Sequence, residues 1–178
     1  MADRSPAADT ASAAAITRAV QALREGGVVA IPTDTVYGLA ASLDHPLAVE
    51  RIFEIKGRDD TKALPVLVSS VDILPVLART MSGAAQRLAD AFWPGALTIV
   101  VEATERVPAA VRRGGTTVGL RMPDNDIALA IIEGVGGALA VTSANRSGET
   151  EAHSADDVRR TLSTAVDVVV DGGTSPLS

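Results

Sequence analysis

Cysteine is absent from this 178-residue chain, aromatic residues make up 2% of it, and histidine occurs twice. Without cysteine there is no disulfide framework, no thiolate metal site and no thiol nucleophile. That absence also fits a reducing compartment. His45 and His153 fall in expected loops, so neither a histidine metal cluster nor a Ser-His triad is available. No uncharged apolar run approaches the ~18 residues of a membrane span. The nearest, 127–141, is broken by Glu133 and by glycines. The N-terminus carries Asp3 and Asp9 and has no basic stretch ahead of an apolar one, so it does not read as a signal peptide. Three common motifs are missing as well: G-x-x-x-x-G-K-[ST], G-x-G-x-x-G after a strand, and G-x-S-x-G. A nucleotide bound here is held without the usual phosphate loops. Net charge is −6, which argues against a surface built to coat nucleic acid but leaves room for a local basic cleft. These features predict a soluble, cytoplasmic protein with little direct nucleic-acid binding and no membrane contact.

Apolar residues are 47% of the chain, enough for one domain with a real core. The most informative stretch is Pro32-Thr33-Asp34-Thr35-Val36-Tyr37-Gly38-Leu39, which follows the apolar run Val28–Ile31 directly. A buried strand there gives way abruptly to hydroxyl, carboxylate and phenol groups. Pro32 cannot sit in a central ladder, so the strand ends or bulges at that point. Open α/β sheets bind ligands at such strand tips, although a polar turn closing a strand has the same composition.

Residues 1–14 are expected to form a flexible tail and 15–178 a single domain. Ile16, Val20 and Leu23 recur at helical spacing before Gly26-Gly27. Val49, Ile52, Phe53 and Lys56 share a face of the next helix, which Gly57 stops. A strand is expected over 64–68 and a Pro75-interrupted helix over about 72–80. A helix over 83–92, capped by Ser82, should turn Ala85, Leu88, Ala89 and Phe92 inward. Strands follow at 97–101 and 116–121, then a helix capped by Asp124 and a strand at 138–141. Ser154 with Asp157 resembles a capping box before a helix over 155–162, and a last strand covers 166–170. Strands mostly alternate with helices, which predicts an α/β fold with an open, mixed sheet.

Four places carry candidate chemistry. On strand 116–121, Thr117, Gly119 and Arg121 share a face opposite Val118 and Leu120. The forked guanidinium of Arg121 suits a carboxylate or phosphate, and equally a surface salt bridge. Lys56, Arg58 and Lys62 bring cations around the loop after a helix, as a triphosphate requires, among Asp59 and Asp60. A solvated mixed-charge loop is the plainer explanation. Ser143 and Asn145 follow strand 138–141 and point the same way if the chain stays extended. They suit phosphate or ribose oxygens, or an Asx turn. Phe92-Trp93-Pro94-Gly95 is most simply a packing corner.

Taken in order, these pieces resemble the YrdC-like family of threonylcarbamoyl-AMP synthases. Pro32–Leu39 is similar to its P-T-D/E-T-V-Y-G-L signature, and Lys56-Gly57-Arg58 to its K-x-R element. Ser143-Ala144-Asn145 is similar to its S-x-N element and Val118–Pro123 to its V-x-x-R-x-P strand. Phe92–Thr98 matches its F-W-P-G-P-L-T, with Ala96 replacing the second proline. The resemblance implies an open, twisted sheet around a basic concave cavity. It also implies a nucleotidyltransferase that makes threonylcarbamoyl-AMP and pyrophosphate from L-threonine, bicarbonate and ATP. A partner transferase would then modify tRNA. By the same resemblance Thr35, Arg121 and Val141 hold threonine, while Arg58, Lys62, Thr117 and Ser143 hold ATP. Lys56, Arg58, Ser143 and Asn145 form the catalytic set, Mg²⁺ arrives with ATP, and no metal site of the protein's own is expected.

Three departures qualify that expectation. Leu67 stands where many relatives carry a histidine near threonine. Glu151 stands where relatives often use serine to approach ATP. The family continues past the last strand with a serine-threonine segment that closes over the substrates, and the sequence stops at Ser178. The alternative to the synthase is a non-catalytic relative binding a nucleotide or RNA. A third reading is an acyl-adenylate domain serving other carbamoyl chemistry.

Overall fold

A computed structural model describes residues 6–57, 62–162 and 164–176. The order of elements is α1 (Pro6–Arg24), β1 (Val29–Ile31), β2 (Gly38–Ser42), α2 (Pro46–Lys56), β3 (Val66–Val68), a 3-10 turn (Val71–Ile73), α3 (Leu74–Leu77), α4 (Gly83–Phe92), β4 (Ile99–Glu102), α5 (Ala109–Arg112), β5 (Thr117–Arg121), α6 (Asp126–Gly134), β6 (Ala138–Ser143), α7 (Ala155–Leu162) and β7 (Val168–Val169). The strands form one seven-stranded sheet in the order β4-β5-β3-β6-β2-β1-β7. β1 runs parallel to β7 and β3 parallel to β5, while the other neighbours are antiparallel. The expected open, mixed α/β sheet is therefore present.

Alternation of side chains splits the sheet into two faces. One face carries Ala30, Leu39, Ala41, Val66, Ala140, Val118 and Leu120, packed with Ile52 and Phe53 of α2, Val111 of α5 and Val158 of α7. The other carries Val29, Ile31, Ala40, Leu67, Leu139 and Val141, packed with Ala19 and Leu23 of α1 and Ile131 and Ile132 of α6. On that second face β4 and β5 are less covered: Val100 is 67% exposed and Thr117 is exposed. The cleft lies at the border of this uncovered half, where Arg121 of β5 meets Leu67 of β3 and Val141 and Ser143 of β6.

Several elements differ from the sequence expectation. β2 was absent from it, because Gly38-Leu39-Ala40-Ala41-Ser42 lacks the β-branched and aromatic residues that mark strands. Pairing with β1 on one edge and β6 on the other overrides that weak propensity. The expected tail over 1–14 is helical from Pro6, in keeping with its alanine run. In α4 the inward stripe is Ala85, Ala89 and then Trp93, while Leu88 and Phe92 face out at 43% and 58% exposure. A one-residue error on a helix rotates the inferred face by about 100°. Asn125 rather than Asp124 caps α6, its side chain accepting from the Ala128 N–H at 3.0 Å. The helix expected over 72–80 is split into the 3-10 turn and α3. The short α5 was not anticipated. The capping box at α7 is present: Ser154 Oγ accepts from Asp157 N, and the Asp157 carboxylate accepts from Ser154 N. The Ser154 hydroxyl, with the His153 N–H and Arg160, holds the Asp157 carboxyl below its ordinary value.

Tyr37 ties the segment after β7 to the sheet. It is buried, donates to Gly173 O at 2.7 Å and accepts from Gly172 N at 3.0 Å. Gly172 has no room for a side chain, since a Cβ there would lie 2.6 Å from Pro32 Cγ. Burial, the largest effect, raises the Tyr37 phenol above its ordinary 10.0. The folded state therefore keeps this proton longer than the unfolded chain, and stability falls as pH rises above about 10. Tyr37→Phe is expected to cost about 1 kcal/mol at neutral pH and to flatten this alkaline decline relative to the parent. Urea unfolding of both proteins at pH 8 and at pH 11 checks both effects.

Candidate active site

The loop between β1 and β2 is shaped by its own hydroxyls. Thr33, 4% exposed, donates from Oγ1 to Val36 O at 2.6 Å and accepts from Thr35 N at 3.1 Å. These bonds bracket Asp34 and turn the Thr35 hydroxyl toward β5. Tyr37 N donates to Ala152 O and Ala144 N to Tyr37 O, both at 2.8 Å, so the loop is stitched to the chain after β6.

Arg121 meets this loop. Its Nε donates to Gly95 O at 3.0 Å, its Nη2 to Asp34 Oδ1 at 2.5 Å, and Thr35 Oγ1 lies at 3.3 and 3.4 Å from the two Nη atoms. The Arg121 and Asp34 side chains are 14% and 13% exposed. Gly95 is aimed by the corner expected to be mere packing. Trp93 is buried with its indole N–H on Leu97 O at 2.7 Å, and Gly95 N donates to Met122 O. The corner thus packs, and it also orients Arg121.

Beside Arg121 lies a cleft of about 90 Å³, bounded by Thr35, Leu67, Thr98, Val141 and Ser143 among others. Gly38 and Gly119 keep side chains out of it. A Cβ on Gly38 would lie 2.5 Å from Val141 Cγ1, and one on Gly119 would lie 2.8 Å from Thr98 Cγ2. Thr35, Arg121, Val141 and Ser143, anticipated from the sequence, are brought together here. Thr33, Pro65 and Thr98 also line the cleft and were not anticipated. Only their distance from neighbours in the fold, which spacing does not encode, would have revealed them.

Behind Ser143 sits a buried cation. Lys56, 4% exposed at the end of α2, donates from Nζ to Ser143 O at 2.7 Å, to Asn145 O at 3.0 Å and to Asn145 Oδ1 at 3.0 Å. Ser143 Oγ donates to Asn145 Oδ1 at 2.7 Å, Asn145 Nδ2 to Glu149 O at 2.7 Å, and Ser147 N to Lys56 O at 2.8 Å. The ammonium and the amide are engaged internally, and the residue they present to the cleft is Ser143. Lys56 and Asn145 act on the cleft through Ser143.

The remaining expected residues lie elsewhere. Thr117 shares the face of Arg121 but is four residues along β5, about 13 Å away. Lys62 is exposed, and Arg58 lies outside the described residues. Among the described residues, the charged side chain lining the cleft is Arg121. Of the two substituted positions, Leu67 is 3% exposed in the cleft wall and Glu151 is on the surface.

A family model described as Sua5/YciO/YrdC, telomere recombination, matches residues 21–178. The chain belongs to the Sua5/YciO/YrdC family. Among curated members of that family, the threonylcarbamoyl-AMP synthase of Pyrococcus abyssi is 42% identical over 151 residues, covering 85% of this chain and 44% of the relative. The synthase of Bacillus subtilis is 39% identical over 159 residues, covering 89% of this chain and 46% of the relative. The chain thus spans about half the length of the curated relatives it matches. The solved structure of P. abyssi Sua5 complexed with L-threonine superposes with a TM-score of 0.87 at 41% identity, over 90% of this chain and 47% of that one. In this Sua5/YciO/YrdC member the expected fold is therefore confirmed by structural likeness as well as by its sheet order.

The Lys56 clamp yields a prediction. Lys56→Met leaves two carbonyls and an amide oxygen without their shared donor, and a stability loss of about 2–3 kcal/mol is expected. Guanidinium unfolding measures it, and a loss under about 0.5 kcal/mol would mean that solvent satisfies these groups unaided.

Proposed function

We propose that this chain forms threonylcarbamoyl-AMP and pyrophosphate from L-threonine, bicarbonate and ATP, supplying a transferase that modifies tRNA. The observation that carries the proposal is the convergence of Thr35, Arg121 and Val141 on one small cleft, in a fold shared with a relative solved with L-threonine. Arg121 takes the carboxylate of threonine through charge-assisted hydrogen bonds, Thr35 adds a hydroxyl, and Val141 with Leu67 gives an apolar wall for the methyl group. The amine combines with bicarbonate to give a carbamate and water. A carbamate oxygen then attacks the α-phosphorus of ATP and pyrophosphate leaves.

No protein nucleophile enters this sequence, so the residues position the reactants and stabilise charge. Ser143, held by Lys56 and Asn145, approaches the phosphates with Arg58 and Lys62, and Thr117 approaches the far part of the nucleotide. The spread from Arg121 to Thr117 along one strand suits a ligand with a small amino-acid end and a long nucleotide end. Among the described residues no group of three or more histidine or acidic side chains could hold a metal ion. Mg²⁺ travels on the triphosphate rather than in an all-protein cage. The reaction belongs in the cytoplasm, and no helix of the described residues is long and apolar enough to cross a membrane.

The test is pyrophosphate release from ATP and Mg²⁺ with and without the other two substrates. Release that requires both L-threonine and bicarbonate is expected; ATP turnover indifferent to threonine would overturn the assignment. Arg121→Lys should sharpen it. Lysine keeps Asp34 paired but lacks the fork, so the KM for threonine should rise about tenfold or more while that for ATP stays within about twofold.

A further inference from the structure

We propose that Asp34 makes the cleft selective for zwitterionic amino acids over plain carboxylic acids, by giving up Arg121 to the ligand's carboxylate and taking the ligand's ammonium. The proposal rests on the reading of the cleft as an amino-acid site. Asp34 does not itself line the cleft; its carboxylate holds Nη2 of the lining residue Arg121 at 2.5 Å, on the guanidinium an incoming carboxylate would also seek. The pair neutralises the charge beside the cleft. A ligand carrying only a carboxylate must compete with Asp34 and remain next to its negative charge. A ligand carrying carboxylate and ammonium on one carbon replaces one ion pair by two, in alternating order. At 14% and 13% exposure, water does little to screen these differences.

Asp34 is not needed to aim Arg121. The guanidinium has its own anchors in Gly95 O and Thr35 Oγ1. The loop, in turn, is set by the Thr33 hydroxyl on both sides of Asp34 rather than by the Asp34 carboxylate. Its charge is therefore free to serve selection.

The experiment is calorimetric titration of the parent, Asp34→Asn and Asp34→Glu with L-threonine and with 3-hydroxybutyrate, which keeps the methyl, hydroxyl and carboxylate but lacks the amine. The parent should bind threonine and discriminate against 3-hydroxybutyrate. In Asp34→Asn the Kd for threonine should rise and that for 3-hydroxybutyrate fall, each by about tenfold, the worth of one charge-assisted hydrogen bond. Asp34→Glu should restore the parent's preference in part. Loss of both ligands together, or no change in either, would overturn selection by Asp34 while leaving the synthase reading standing. A parent that does not bind threonine would overturn that reading, and this proposal with it.

Discussion

The antiparallel ladder between β2 and β6 sets the geometry on which the cleft depends. Its register places Gly38 opposite Ser143 and Ala40 opposite Val141. From that seam the β1–β2 loop leaves on one side and the Ser143–Asn145 turn on the other, and the bonds between Tyr37, Ala144 and Ala152 keep the two together. A slip of one residue would send Val141 and Ser143 to the opposite face, among the side chains packed on α2 and α7. The small residues of β2 allow the close approach. At Gly38 even a methyl group would collide with Val141, so the absence of side chain at that point is as necessary as the presence of Arg121.

Two cations near the cleft have opposite duties, and their partners explain why. Lys56 is held by carbonyl and amide oxygens of Ser143 and Asn145, and its ammonium fixes the turn after β6. A buried ammonium is tolerable only when so engaged. Arg121 instead meets one carbonyl, one hydroxyl and one carboxylate. Its planar group has more donors than these contacts occupy, and one partner is charged and therefore exchangeable for another carboxylate. The K-x-R and V-x-x-R-x-P patterns look equivalent as lists of basic residues. Packing separates an internally engaged clamp from a group that lines the cleft.

Much of this was legible in the sequence, and the failures have physical causes. The turn at Pro32, the shared face of Thr117, Gly119 and Arg121, and the Ser154 capping box all follow from local rules, and local rules sufficed. β2 was illegible because its small residues are chosen for tight pairing, which propensity penalises. The inward face of α4 was misjudged because Leu88 and Phe92 are the larger apolar groups, whereas the narrow space against the core admits Ala85 and Ala89 and reserves its volume for Trp93. The Asp34–Arg121 pair spans 87 residues of chain, and sequence spacing carries no trace of it. Lys56 could be placed on the right helix face, but its inward burial depends on oxygens that the end of β6 and the turn after it supply.

The uncovered half of the sheet has a chemical logic. Helices α1 and α6 bury the face beneath β1, β2 and β6, and extending that cover across β5 would hide Arg121 and Thr117 at once. Leaving this edge of the sheet bare costs the burial of Val100 on β4, roughly 1.5–3 kcal/mol for a side chain of its kind. In return one face of β5 carries a cation at one end and a hydroxyl at the other, with Thr98 packed against Gly119 between them. A rigid strand fixes that separation more firmly than a loop would. A reaction that joins a small zwitterion to a nucleotide, with no covalent help from the protein, asks chiefly for such a fixed separation. Under the proposed function the exposed half-sheet is the working surface of the fold rather than a gap in its core.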